Sequence, residues 1–459
     1  MRTVKDGVPR AHRRSSLVTW HVPWRTSLWL VPGMIVFAAL GLFVFTQLVD
    51  RAAYAGRIVL PSWVNQGGPS DARALVAATA GAIVTTLGLV MSITVLTLSI
   101  AANTFGQRML WRYIRDGGTK ICIGTFSSTF LFSLLTLLSV SDRPNQRPFV
   151  PWASAWTSLV LAVICVLALL YYINHVGTLV QVSTVLSEIR SDLSRVLRQR
   201  TPPSDLQRPA TGSWVGEDSD FNLLAPSSGY LQGVRYSTLL RATEETDTVI
   251  QFLRRPGNWV LRGSVVACGK QNGSRQSRPD LQEQLQREFN AAVVLGPRRT
   301  MWQDPEFAIA QIVEIGIRAM SPGINDVFAA VSCVDALASG LREVLCIPPH
   351  CPAHLDSKGR VRITEQSSSF EHMAATGFDA MRTVARNSVA LTVRLLESIT
   401  ALAPFLRSSG ERIELAAQAE LIREGFSFHA VHHDRYEVEA AYVAALHALH
   451  SSISRSEVA

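Results

Sequence analysis

The run Ala74-LVAATAGAIVTTLGLVMSITVLTLSIAANTFG-Gln107 holds thirty-four residues without one Asp, Glu, Lys or Arg. As a helix rising about 1.5 Å per residue it would extend roughly 50 Å, against about 30 Å for the hydrocarbon core of a bilayer. It therefore reads as a membrane helix with length to spare. Small and hydroxylated residues recur through it, and a step of about 100° per residue gathers them into stripes. Gly81, Thr85, Gly88, Ser92, Ser99 and Asn103 share one, and Thr79, Thr86, Thr97 and Thr104 share another. Such stripes suit close helix packing or a wet path, not contact with lipid. Thr85, Ser92, Ser99 and Asn103 are the pore-lining candidates.

Working outward, three further apolar stretches are free of charge: Leu28 to Val49, Ile121 to Ser141 and Ala153 to Tyr172. Each is long enough to span a bilayer. The segment before them is basic, as in a signal peptide, but the first apolar stretch is of spanning length with no clear small-residue cleavage site. Lys and Arg number six in the amino-terminal segment and four in the second loop, against three in the first loop and two in the third. By the positive-inside rule both termini are expected in the cytoplasm of a bacterial inner membrane, making everything after His175 cytosolic.

Beyond the last span, Leu179, Val182, Leu186, Ile189, Leu193 and Val196 alternate by three and four with polar residues between. This is a coiled-coil-like seam, and self-association through it or packing on a neighbour in the same chain would both produce it. Pro- and Ser-containing residues 201–228 read as a linker. Short apolar alternations bounded by Gly and Pro then give strands near Gly229 to Val234, Thr248 to Leu253 and Pro256 to Val266. Helices follow at Asp304 to Met320, to about Val344, Phe370 to Ala403, Arg412 to Arg423 and Arg435 to His450. The expected fold is mainly α. Its segments are a basic terminus (1–26), a four-span domain (27–175), a stalk (176–200), the linker (201–228), a small β-rich unit (229–300), a helical bundle (301–451) and a tail (452–459).

Charge and motifs narrow the chemistry. The net charge of +8 is carried almost wholly by arginine and is not gathered on one basic face, so nucleic acid is not expected and the lipid bilayer is the first partner. There is no GxSxG, Walker-type loop or GxGxxG opening a helix, so no enzyme activity and no cofactor are expected. Six cysteines show no CxxC spacing. Cys346, His350, Cys351 and His354 are interrupted by prolines, and His429, His432 and His433 lack the Glu of a zinc protease; neither group is read as a metal site. The best cytosolic ligand or ion site combines Asp304, Glu306, Ser321, Gly323, Asn325 and Asp326 in two turns with Glu314 and Arg318 between them. Clustered carboxylates can hold a cation and free amides at a helix start an anion, although Asp and Asn in such places also serve as plain caps.

Asn103-Thr-Phe-Gly-Gln-Arg108, Gln303-Asp-Pro-Glu-Phe307 and above all Ser321-Pro-Gly-Ile-Asn-Asp326 together resemble a family of bacterial predicted membrane proteins carrying a domain of unknown function. That resemblance implies a four-span inner-membrane protein with a cytosolic carboxy-terminal region, and brings no activity with it. Family members often carry Asn-Asp-Pro in the last turn, where Val327 stands here. Two functions fit these features: an oligomeric channel or permeation protein with a cytosolic vestibule or sensor, and a membrane-anchored scaffold or regulator whose bundle binds a protein or small anion.

Overall fold

The computed structural model describes residues 29–58, 61, 67–105, 116–141, 148–179, 181–200, 219–271, 279–347, 353–426 and 431–456. The basic terminus, most of the linker and His350, Cys351 and His429 lie outside these residues. The chain divides into two units, Met1–Gln181 and Val182–Ala459.

In the first unit four apolar helices are each long enough to cross a membrane: α1 (Leu30–Tyr54), α2 (Pro69–Phe105), α3 (Gly117–Ser139) and α4 (Trp152–Leu179). α3 is the central one, with 50% of its apolar window buried against 17–22% for the other three. It packs on all of them. Gly124 lets α1 approach, since a Cβ there would lie 2.7 Å from Ile35 Cδ1 and 3.0 Å from the Pro32 Cα. Ile83, Val90, Cys122, Phe126, Cys165 and Tyr172 fill the interior.

Several polar groups inside this unit meet across helix interfaces. Ser133 and Ser158 hydroxyls meet at 2.6 Å, and Thr94 meets the Tyr172 hydroxyl at 2.5 Å. At one end Asp50, buried at the close of α1, accepts from the N–H groups of Ala153 (2.8 Å) and Ser154 (3.0 Å) and from the Ser154 hydroxyl (2.6 Å). A carboxylate of one helix thus caps the start of another, satisfying donors that a helix leaves open. Gln47, one turn earlier, donates to the Ser139 hydroxyl at 2.9 Å and draws in the end of α3. At the opposite end Asp116 caps α3 through the Thr119 N–H (2.7 Å) and meets His175 of α4 at 2.9 Å.

The second unit opens with α5 (Val182–Arg200). α4 ends at Leu179 and α5 starts at Val182. Leu186, Ile189, Leu193 and Val196 of the seam are buried, and Val182 is half-buried. They pack on two helices of the same chain, α8 (Pro305–Ala319) and α9 (Val327–Cys346). Leu193 reaches the surface left bare by Gly340, where a Cβ would lie 3.0 Å from its Cδ2. From Val182 to Val196 the three-four alternation therefore has an occupant within the chain, while the side chain of Leu179 lies outside the described ones.

The remaining elements are β1 (Phe221–Leu224), β2 (Gly229–Val234), α6 (Tyr236–Thr246), β3 (Thr248–Phe252), β4 (Trp259–Val260), β5 (Val265–Gln271), α7 (Pro279–Ala292), β6 (Val293–Gly296), β7 (Ala353–Leu355), β8 (Val361–Thr364), α10 (Phe370–Ala385), α11 (Val389–Leu402), α12 (Ser409–Gly425) and α13 (His432–Ser456). One sheet has the order β1-β5-β3-β8-β7 and the other β4-β2-β6. β3 and β8 run parallel, while the other pairs are antiparallel. β1 falls in the stretch read as linker, and β7 and β8 in a break between helices. Their short lengths, three and four residues for β7 and β8, leave no period to read. The long helix read from Phe370 to Ala403 is two, because Ser388 leaves the helical conformation and its side chain caps α11 through the Leu391 N–H.

Replacing Gly124 with Val should separate α1 from α3 at a cost of about 1–3 kcal/mol. Thermal unfolding of the full chain in detergent is expected to move to lower temperature, and an unchanged midpoint would show that this approach is not tightly packed.

Candidate functional site

The two polar stripes of α2 have opposite fates. Thr79 and Thr97 are buried within the four-helix unit and Thr86 is half-buried. Gly81, Thr85, Gly88, Ser92, Ser99 and Asn103 are all exposed on it. A Cβ added at Gly81 or Gly88 would meet nothing within 4 Å. Thr85 donates back to the Gly81 carbonyl at 2.9 Å, so its hydroxyl proton is satisfied by its own helix. Ser92, Ser99 and Asn103 make no hydrogen bond among the described residues. The four pore-lining candidates consequently share one outward face that no other described helix of the chain covers.

The eight residues of the other candidate site do not converge. Asp304 and Glu306 stand at the start of α8, Ser321 to Asp326 beyond its end. Its 15 residues separate the two groups by about 22 Å. Glu314 and Arg318 form an i,i+4 pair at 3.3 Å on the helix between.

At the amino-terminal end the carboxylates are already matched with cations. Asp304 caps α8 through the Phe307 N–H at 3.2 Å and takes Arg299 Nε at 2.5 Å. Glu306 accepts two bonds from Arg255 Nη2, at 3.0 and 2.8 Å, and a third from Arg299 Nη2 at 3.0 Å. His372, on the first turn of α10, lies 2.9 Å from Glu306. Asp304 and Glu306 are buried, and burial raises the Asp304 carboxyl above its ordinary range against the pull of Arg299. For Arg299 burial works downward, but its bonds to Asp304 and Glu306 prevail and leave the guanidinium above its usual value. Through these pairs the carboxylates join the β3–β4 loop, α8 and α10. Gly257, at φ +97°, makes room for them, because a Cβ there would fall 2.2 Å from Asp304 Oδ2. Sequence reading missed Arg255, Arg299 and His372, since nothing local ties an arginine fifty-one residues upstream to Glu306.

The Ser321–Asp326 turn is built by its backbone. Ile324 and Asn325 donate to the Ser321 carbonyl at 3.0 and 2.9 Å, and Asp326 donates to that of Ala319 at 2.7 Å. Asn325 takes φ +49°, a left-handed conformation that Asn tolerates better than most residues. Asp326 caps α9 through the Ala329 N–H at 2.9 Å, so capping accounts for it and α9 starts at Val327 without a proline. Gly323 is exposed with nothing near it. What the turn does display is apolar: Phe328 is 87% exposed, with Ile317 and Ile324 exposed beside it in sequence. No group of three or more His, Cys, Asp or Glu side chains placed to hold a metal occurs among the described residues.

Four apolar helices followed by a separately packed α and β unit define a polytopic membrane protein with a large carboxy-terminal region. The chain belongs to the family described as "Predicted membrane protein (DUF2254)", matched over residues 25–401. Relatives include uncharacterized proteins of Mycobacterium tuberculosis (Rv1290c) and Mycobacterium bovis (Mb1321c). Each is 27% identical over 405 residues, covering 86% of this chain and 75% of the relative. No solved structure matches.

Removing the charge of Glu306 (Glu306→Gln) would leave Arg255 and Arg299 facing each other without their shared carboxylate, at a cost of about 3 kcal/mol. Denaturant unfolding of the purified protein should register that loss. Addition of millimolar Ca²⁺ or Mg²⁺ should not stabilise the wild type.

Proposed function

We propose that this chain is an oligomeric permeation protein of a bacterial inner membrane, with both termini in the cytoplasm. In this reading copies of α2 surround a pathway lined by Thr85, Ser92, Ser99 and Asn103, and the carboxy-terminal unit is a cytosolic vestibule or sensor. The observation that carries the proposal is the outward stripe. An exposed serine or amide facing hydrocarbon goes unmatched, whereas against another copy or a column of water it finds partners. Gly81 and Gly88 lower the profile of that face enough for a neighbouring helix to come close. No catalytic group or cofactor is required. Because the α5 seam is occupied within the chain, the assembly rests on the membrane helices.

Ser92→Leu together with Ser99→Leu should reduce ion flux in proteoliposomes by at least tenfold while leaving the unfolding temperature in place. Flux equal to wild type would remove the pathway from this face. Thr97→Leu, a change on the buried stripe, should instead lower stability.

A second reading, a membrane-anchored regulator that binds a protein, is favoured by Phe328 and Ile324, which stay exposed among the described residues. It calls for no flux at all. Phe328→Ser should then abolish co-purification of a native partner without changing the unfolding midpoint, and retained co-purification would count against it.

A further inference from the structure

A cavity of about 550 Å³ opens in the carboxy-terminal unit between α5, α9 and α11. That volume is of the size that holds small-molecule ligands. Each helix presents one face to it. α5 contributes Ser183, Ser187 and Arg190, at helical spacing; α9 contributes Asp335, Ser339 and Arg342; α11 contributes Arg394 and Glu397.

The charges on these walls are unequal. Arg394 closes on both acids, with Nε 2.6 Å from Asp335 and Nη1 2.9 Å from Glu397. Arg190 and Arg342 then remain without a carboxylate among the described residues. Arg342 is held over the ring of Phe405, 4.6 Å from its centroid, which limits the orientations its guanidinium can take. Ser183 and Ser339 carry hydroxyls that make no hydrogen bond among the described residues. Two guanidiniums without a carboxylate, from different helices and lining one cavity with unengaged hydroxyls, are suited to oxyanions, because the planar fork of arginine matches phosphate and carboxylate oxygens two at a time.

We propose that this cavity binds a small polyanion, a molecule with at least two phosphate or carboxylate groups, held between Arg190 of α5 and Arg342 of α9. The inference rests on the sensor reading of the carboxy-terminal unit and gives that sensor a ligand class. α5 is the first element after the last membrane helix in the chain, so a ligand that ties α5 to α9 acts on the segment through which the two units are joined. An anion shared by the two helices stabilises the packed position of α5 by mass action.

The test uses the full chain in nanodiscs of phosphatidylcholine, which carry no anionic headgroup, titrated by calorimetry with inorganic pyrophosphate, ATP and citrate. Binding of at least one probe at micromolar Kd is expected, weakening as salt is raised. Pyrophosphate and ATP without citrate would assign phosphate, and citrate as well would assign polyanions in general. Arg190→Ala with Arg342→Ala should reduce affinity at least tenfold, and the double lysine variant should recover part of it. Arg262→Ala, an exposed arginine elsewhere, should change nothing. Unfolding temperatures report whether each variant is folded; both arginines are exposed, so the double alanine variant is expected to match wild type. The proposal is overturned if no probe binds, or if the double alanine variant binds as wild type does. Since binding is read as heat, it can hold while flux is absent, and flux can be present without it.

Discussion

Hydrocarbon offers no hydrogen-bond partner, and the membrane unit is arranged around that deficiency. Thr79, Thr86, Thr94 and Thr97 each return their hydroxyl proton to a carbonyl one turn back. The hydroxyl of Ser158 on α4 reaches across the interface to Ser133 of α3, whose own proton goes to the Thr129 carbonyl one turn back. Even the first donors of α4 are satisfied, by the carboxylate of Asp50. With so many polar groups consumed inside, the outward stripe of α2 stands apart: its serines and its asparagine are the members of that pattern left over.

The carboxy-terminal unit meets a different difficulty, that of holding sheets against helices across loops. Its answer is charge placed out of water. Glu306 draws on Arg255 from the sheet side, Arg299 from the preceding loop and His372 from α10, while Asp304 caps the helix that carries both acids. Arg362 on β8, itself buried, meets Asp356 and Asp247 beside the sheet in a similar manner. Such pairs cost desolvation and repay it through geometry, so they specify one arrangement more than they add stability.

The spans were legible because length without charge is a one-dimensional signal, and α1 to α4 fall where the composition puts them. The outward turn of Ser92 and the inward turn of Thr97 were not, since periodicity separates two stripes without saying which faces a neighbour. The seam of α5 was legible as a pattern but silent on its partner, and Gly340, the residue that receives Leu193, is invisible until α9 is placed. β7 and β8 are too short to show alternation. The caps Asp304 and Asp326 could be read directly from the helix starts, whereas the arginines that pair with Asp304 and Glu306 are tertiary facts.

The capping of α4 by Asp50 also constrains how the protein is made. The acid is synthesised about a hundred residues before the N–H groups that receive it. Until α4 arrives, α1 ends in a carboxylate whose favourable surroundings are water, which keeps that end of the helix at the bilayer surface. The bonds that satisfy Asp50 thus exist only once the last helix is present, and a chain truncated before Ala153 would lack them.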